Sequence, residues 1–195
     1  MKLSSQQGFS LIELMTTIVI LAILVVLGFP SYQAWIRNTG IRNAAESIQN
    51  GLRQARNEAS QRGTTVRFEL NTAGTADWTV CVLPSTATAC AGGTTLQVFT
   101  ASGGASAVQI TASTAVADAT TLATALAGAS TAASGVTFNA LGRPTAYGTT
   151  SLLRIDASST MANTRRLVTT ISPGGMVRMC DPLITFSATS PQGCQ

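Results

Sequence analysis

After a polar leader of eight residues, MKLSSQQG, the chain turns abruptly apolar: residues 9–29 read FSLIELMTTIVILAILVVLGF, broken only by Ser10, Glu13, two threonines and Gly28. As a helix rising ~1.5 Å per residue, a run of this length covers roughly 31 Å, enough to cross the hydrocarbon core of a bilayer. It reads as a transmembrane helix. Lys2 on the short side keeps the leader cytoplasmic and sends everything after Pro30 outward. An ordinary secretory signal is cut behind its apolar run at small residues, but here Pro30, Ser31 and Tyr32 follow with no A-x-A pattern nearby. The Gly8–Phe9 junction is the other place to cut, and cleavage there leaves the whole apolar helix on the mature chain.

Glu13 is the most informative residue of that helix. A carboxylate in an apolar span costs roughly 2.5 to 3.5 kcal/mol even on insertion scales, so it demands a partner. Cleavage after Gly8 creates one, the new α-amino group of Phe9. The helix start of the same subunit can use it, and so can a neighbour stacked beside it, which would set the axial register between subunits.

Beyond Pro30 the helical pattern continues. Ile41, Ala44, Ala45, Ile48, Leu52, Ala55 and Ala59 recur at steps of three and four, one apolar stripe expected to pack on the chain's own domain. Arg42 with Glu46 and Glu58 with Arg62 add i,i+4 pairs elsewhere on the surface. Arg62–Gly63 ends the helix as a C-cap. After Gly63 the period changes to that of strands: 65–70, 78–83, 95–100, 108–111, 136–139, 152–156, 166–172 and 176–180, with turn residues between most of them and Pro173–Gly174–Gly175 as a hairpin turn. The expectation is an α+β chain with one antiparallel sheet laid on the outer half of the helix. Residues 113–134 are almost wholly Ala, Thr, Ser and Gly; Leu122 and Leu126, four apart, allow a short surface helix, and a loop is the alternative.

Composition narrows the chemistry. The chain has no histidine, which removes the Ser-His-Asp and Cys-His constellations and His-rich metal sites. No nucleophile elbow, phosphate-binding loop or carboxylate pair of recognisable spacing stands out either. The sequence therefore points away from an enzyme, and no cofactor, metal or small-molecule substrate is expected. Net charge is +4, but five of the eleven arginines fall in the long helix, and the six beyond it face five acids, so the globular part is close to neutral. Cys81, Cys90, Cys180 and Cys194 form no C-x-x-C pair; an even count beyond a membrane segment reads as two disulfides in an oxidising compartment. Three pairings are open, and the two local ones are preferred because each closes a short loop.

The run GFSLIEL followed by an apolar stretch closely resembles the class III signal of type IV pilins and type II secretion pseudopilins. The resemblance implies that a prepilin peptidase cuts after Gly8 and methylates Phe9, that Glu13 guides assembly, and that Pro30 is the helix-kinking proline. The segment LRQARNEASQRGTTVRFEL, with Ala55, Arg56, Asn57, Glu58 and Ala59 near the helix end, is similar to the GspH/FimT group of minor pilins and pseudopilins. The later VTFNALGRP and the arginine-bearing strand pair before Cys180 resemble that group more loosely. Membership of such a group implies a type IV pilin-like fold with a leader at 1–8, a transmembrane and filament-core helix at 9–29, its amphipathic continuation at 30–62 and a periplasmic β-rich domain at 63–195. The implied partners are other major and minor pilins, the prepilin peptidase and the bacterial inner membrane, with the pilus or pseudopilus as the destination.

Three functions compete within that group. A minor pilin that helps to start a type IV pilus and sits near its tip is favoured by Cys180 and Cys194, since a disulfide-closed C-terminal loop is common in type IV pilins and uncommon in secretion pseudopilins. A minor pseudopilin of type II secretion is the second. The third is a DNA receptor for natural transformation, whose FimT-like members carry Gly-Arg-x-Arg near the C-terminus; here Gly175, Met176, Val177 and Arg178 lack the first arginine. Arg165, Arg166 and Arg178 would still make a weak phosphate site if the hairpin register gathers them, and would otherwise be ordinary strand arginines solvating an edge. Gel-shift titration with duplex DNA tests the third function: such a site gives retardation at low salt that fades at moderate salt, and no retardation at low salt ends it.

Overall fold

The computed structural model describes residues 8–101, 108–126, 135–161 and 164–195. Leader residues 1–7, with Lys2, and residues 127–134 of the Ala/Thr/Ser-rich stretch lie outside the described residues. Helix α1 runs Leu11–Arg62, and the chain forms two compact units divided after Ile36. In the first unit the apolar side chains of α1 are exposed on every side, from Leu11 through Phe29. It is one helix long and apolar enough to cross a membrane.

In the second unit α1 buries Gly40, Ile41, Ala44, Ala45, Ile48, Gly51, Leu52, Ala55 and Ala59. Burial of Ile41, Ile48 and Leu52 contributes roughly 1.5 to 3 kcal/mol each. The other six buried residues are all Gly or Ala, so strands approach the helix closely. A Cβ on Gly51 would stand 2.9 Å from the Phe68 ring and 3.0 Å from that of Trp78. The ~1 kcal/mol that glycine costs a helix interior is thereby exchanged for aromatic packing. The helix stops at Gly63, whose φ of 61° suits a left-handed C-cap, and Thr64 N–H donates back to Ala59 O at 3.3 Å.

Among the described residues nine strands follow: β1 (Val66–Leu70), β2 (Trp78–Val82), β3 (Thr94–Phe99), β4 (Gln109–Ser113), β5 (Gly135–Phe138), β6 (Arg154–Ser158), β7 (Leu167–Ile171), β8 (Val177–Thr185) and β9 (Gly193–Cys194), with a short helix α2 at Ala119–Ala123. They form two sheets where one was expected, in the orders β3-β2-β1-β5 and β4-β6-β7-β8-β9. The pairings are antiparallel except for β8 with β9, which is parallel. The sheets meet at two consecutive buried leucines. Leu152 N–H donates to Gly135 O of β5, whereas Leu153 N–H donates to Ser113 O of β4 and its carbonyl accepts from Ile171 of β7. Both sheets and α1 share a single core, with Phe68, Val80 and Phe138 from the first sheet and Ile110, Ile155 and Ile171 from the second.

Two disulfides staple this unit, Cys81 to Cys90 and Cys180 to Cys194. The first closes the loop behind β2; the second ties the C-terminal strand to β8. A closed loop of such length restricts the unfolded chain by about 3 kcal/mol.

The outer face of the second sheet is covered by α2. Asp118 caps it, accepting from Thr121 N–H at 2.7 Å while Thr121 Oγ1 accepts from Asp118 N–H at 2.9 Å. The backbone bond from Thr121 holds the Asp118 carboxyl below the usual carboxylate range. Leu122 packs on Val168 and Cys180. Beside that contact lies Asp156, 1% exposed, which takes Arg154 Nε and Nη2 on its two oxygens, each at 2.7 Å, and Arg166 Nη1 at 2.7 Å. The arginines use their remaining donors on carbonyls at the end of α2: Arg154 reaches Thr121 O and Thr124 O, and Arg166 reaches Leu122 O and Ala123 O. Asp156 is the hub that bolts α2 to the sheet. Replacing it by Asn leaves a nearly buried guanidinium without its counter-charge, which costs about 3 to 5 kcal/mol. The expected result for Asp156→Asn is a fall in Tm of roughly 10 °C by calorimetry, at the few degrees per kcal/mol typical of domains this size; a fall under about 2 °C would contradict the role of the hub.

Candidate functional site

The N-terminal site is built by the first turns of α1. Glu13 and Leu14 both donate their N–H groups to Ser10 O, at 3.1 and 3.2 Å, which starts the helix just behind Phe9. Thr16 Oγ1 donates to Glu13 O at 3.0 Å and Thr17 Oγ1 to Leu14 O at 2.8 Å. The two hydroxyls are thus satisfied within the helix, as an apolar surrounding requires. Glu13 is different. Among the described residues its carboxylate has no ion pair, and every large apolar side chain around it, from Phe9 to Ile20, is exposed. Phe9 lies four residues before Glu13, the spacing that puts two groups on one face of a helix, about 6 Å apart along its axis.

The three arginines near the C-terminal strands are not gathered. Arg165 donates its N–H to Asn38 of α1 at 2.8 Å and pairs with Asp181 at 3.1 Å, so it belongs to the helix-facing side of the sheet. Arg166 lies on the opposite side, held by Asp156 and α2. Arg178 shares that side but pairs in register with Thr170, four strand positions or about 13 Å from Arg166. It donates to Gln195 Oε1 and Pro191 O, each at 3.1 Å, with its guanidinium 4.8 Å above the Phe186 ring. All three therefore have partners inside the chain. The pattern Arg154-x-Asp156, two charges on one face of an otherwise apolar strand, is the sequence signal that could have revealed the hub.

The segments that carry the looser resemblance meet at one point. Asn139 organises a tight turn, its Oδ1 accepting from Leu141 and Arg143 N–H groups. Gly142 in that turn has φ 69°, and a Cβ there would stand 2.9 Å from Ser60 Oγ and 3.1 Å from Arg56 Cγ. Gly175 of the β7–β8 hairpin, φ 76°, packs against the Gly142 carbonyl, and a Cβ there would overlap it. Helix end, turn and hairpin are locked by two glycines against one arginine stem. Among the described residues no cluster of His, Cys, Asp or Glu has the makings of a metal site.

Residues 3–29 match the model of the prokaryotic N-terminal methylation motif, and residues 44–175 match that of type II transport protein GspH. No curated protein is significantly similar to the chain. Two crystal structures of the type IV minor pilin FimU from Pseudomonas aeruginosa are similar: one is 17% identical, with 79% of this chain and 99% of that one covered and a TM-score of 0.49. The other is 18% identical over 80% of this chain and 95% of that one, with a TM-score of 0.48. On the match that spans residues 44–175, behind a methylation motif, the chain belongs to the GspH/FimT family of type IV pilin-like proteins.

Proposed function

We propose that this chain is a minor type IV pilin that helps to initiate pilus assembly and presents its β-rich domain near the tip. The observation that carries the reading is the first unit of α1, apolar and exposed all round, with Glu13 as its one charge immediately behind the Gly8–Phe9 junction. Such a surface needs a non-aqueous neighbour on every side, first the lipid of the inner membrane and then the packed helices of a filament. Cleavage after Gly8 frees the Phe9 amine, and methylation keeps it cationic. That cation meets Glu13, of the same subunit or of the next, and the pairing is strong because the surroundings are dry. Docking in this scheme is driven by a buried charge seeking its only counter-charge, so register along the filament is set by one residue.

The Cys180–Cys194 disulfide supports a pilus over a secretion pseudopilus, because it closes the C-terminal loop on β8. The match to GspH is what favours the second reading, a minor pseudopilin of type II secretion with the same N-terminal chemistry. Glu13→Ala separates storage from docking in either machine. The variant is expected to insert and to be processed like the wild type, with its amount in the sheared filament fraction, read by immunoblot, down about tenfold or more, given what the Phe9 ammonium left without a counter-charge costs in an apolar phase. Wild-type incorporation of Glu13→Ala would contradict the role given to the carboxylate.

A further inference from the structure

Between α1 and strand β3 runs an open groove of about 440 Å³ whose walls differ in kind. On one side α1 presents Asn43, Ser47, Asn50 and Gln54, at steps of four, three and four, a polar stripe beside the buried one. On the other side stand Gln97 and Phe99 of β3, an edge strand of its sheet. Trp78 forms the floor, stacked on Phe99 with 5.6 Å between ring centroids and donating its indole N–H to Ser47 Oγ at 3.0 Å. The one charge, Glu46, is already paired with Arg42 at 2.8 Å.

Two features of this groove fit the main chain of a partner. Strand β3 bonds to β2 on one side, and among the described residues no strand pairs with its other side. Its six residues, TTLQVF, contain no charge and no proline, the devices that normally blunt an open edge, and Val98 on it is exposed. Across the groove the side-chain amides of Asn43, Asn50 and Gln54, and that of Gln97 on the strand, make no hydrogen bond within the described chain. A side-chain amide both donates and accepts, which is what a peptide unit offers in return.

We infer that this groove takes an extended, uncharged segment of a neighbouring, different pilin subunit, which adds as a fifth strand beside β3 with Trp78 and Phe99 beneath it. Main-chain bonds to β3 supply affinity, and the amides of α1 align the incoming strand. The lack of free charge in the groove argues against nucleic acid or an acidic peptide. A second copy pairing β3 with β3 would be related by a two-fold axis, whereas subunits stacked along one filament point the same way. The inference rests on the filament reading proposed for the chain.

Hydrogen–deuterium exchange of the β3 amides tests it, comparing the full-length chain as a monomer in detergent with the same chain in sheared filaments. The expected result is fast exchange in detergent and about tenfold or more slowing in filaments. The double variant Asn50→Arg and Gln97→Arg should keep its Tm and lose that slowing. Equal exchange in both states, with the chain present in filaments by immunoblot, overturns the inference and leaves the filament reading standing. Absence of the chain from filaments overturns both. Slow exchange already in the detergent monomer shows the edge covered by its own chain, and detergent dimers dissolved by Gln97→Arg show a second copy as the occupant; either result also overturns it.

Discussion

Helix α1 has to satisfy two solvents with one backbone, and the rest of the molecule is arranged by how it does so. Up to Phe29 it is apolar on every side, and no part of the described chain covers it. From Gly40 onward it is apolar on one side only, and that side is buried. A fully apolar helix has no stable place in water. The first unit therefore implies a membrane or a packed bundle before any family is considered, while the second is a β-rich unit packed on one side of the helix.

The buried stripe explains why the domain looks as it does. Alanines and glycines at 40, 44, 45, 51, 55 and 59 leave little side-chain volume, so the volume must come from the strands. Phe68, Trp78, Phe99 and Phe138 supply it from the first sheet. Smaller residues, Ile110, Ala112, Ile155 and Ala157, line the second. Close approach also lets Arg56 lay its stem against Gly142 and Gly175, so the helix end registers both a turn and a hairpin. The motif residues of this region thus act through packing.

Some of this was legible in the sequence, and the boundary of legibility is physical. The stripe from Ile41 to Ala59 could be read because helical periodicity is a local property. So could the individual strands, whose alternation is local too. The division into two sheets could not, since it depends on consecutive leucines, 152 and 153, bonding to different partners. Nor could β9, two residues long and parallel to β8, which exists because the Cys180–Cys194 bond and the Asp181 backbone hold it there. The arginines show the limit most plainly. Arg166 and Arg178 look alike in the sequence, yet one is bolted to Asp156 and to carbonyls more than forty residues away, and the other lies on Phe186 near the chain end. The α2 carbonyls that hold Arg166 are marked by no residue type at all, since any backbone can supply them.

The filament role requires that the apolar helix remain part of the working protein, with a new terminal amine four residues ahead of Glu13. Intact-mass and N-terminal peptide mass spectrometry of the chain isolated from cells measures this directly. The predicted species begins at Phe9, carries a methyl group on that nitrogen and retains residues 9–29. A chain that still begins at Met1, or one cut behind Phe29, would contradict it.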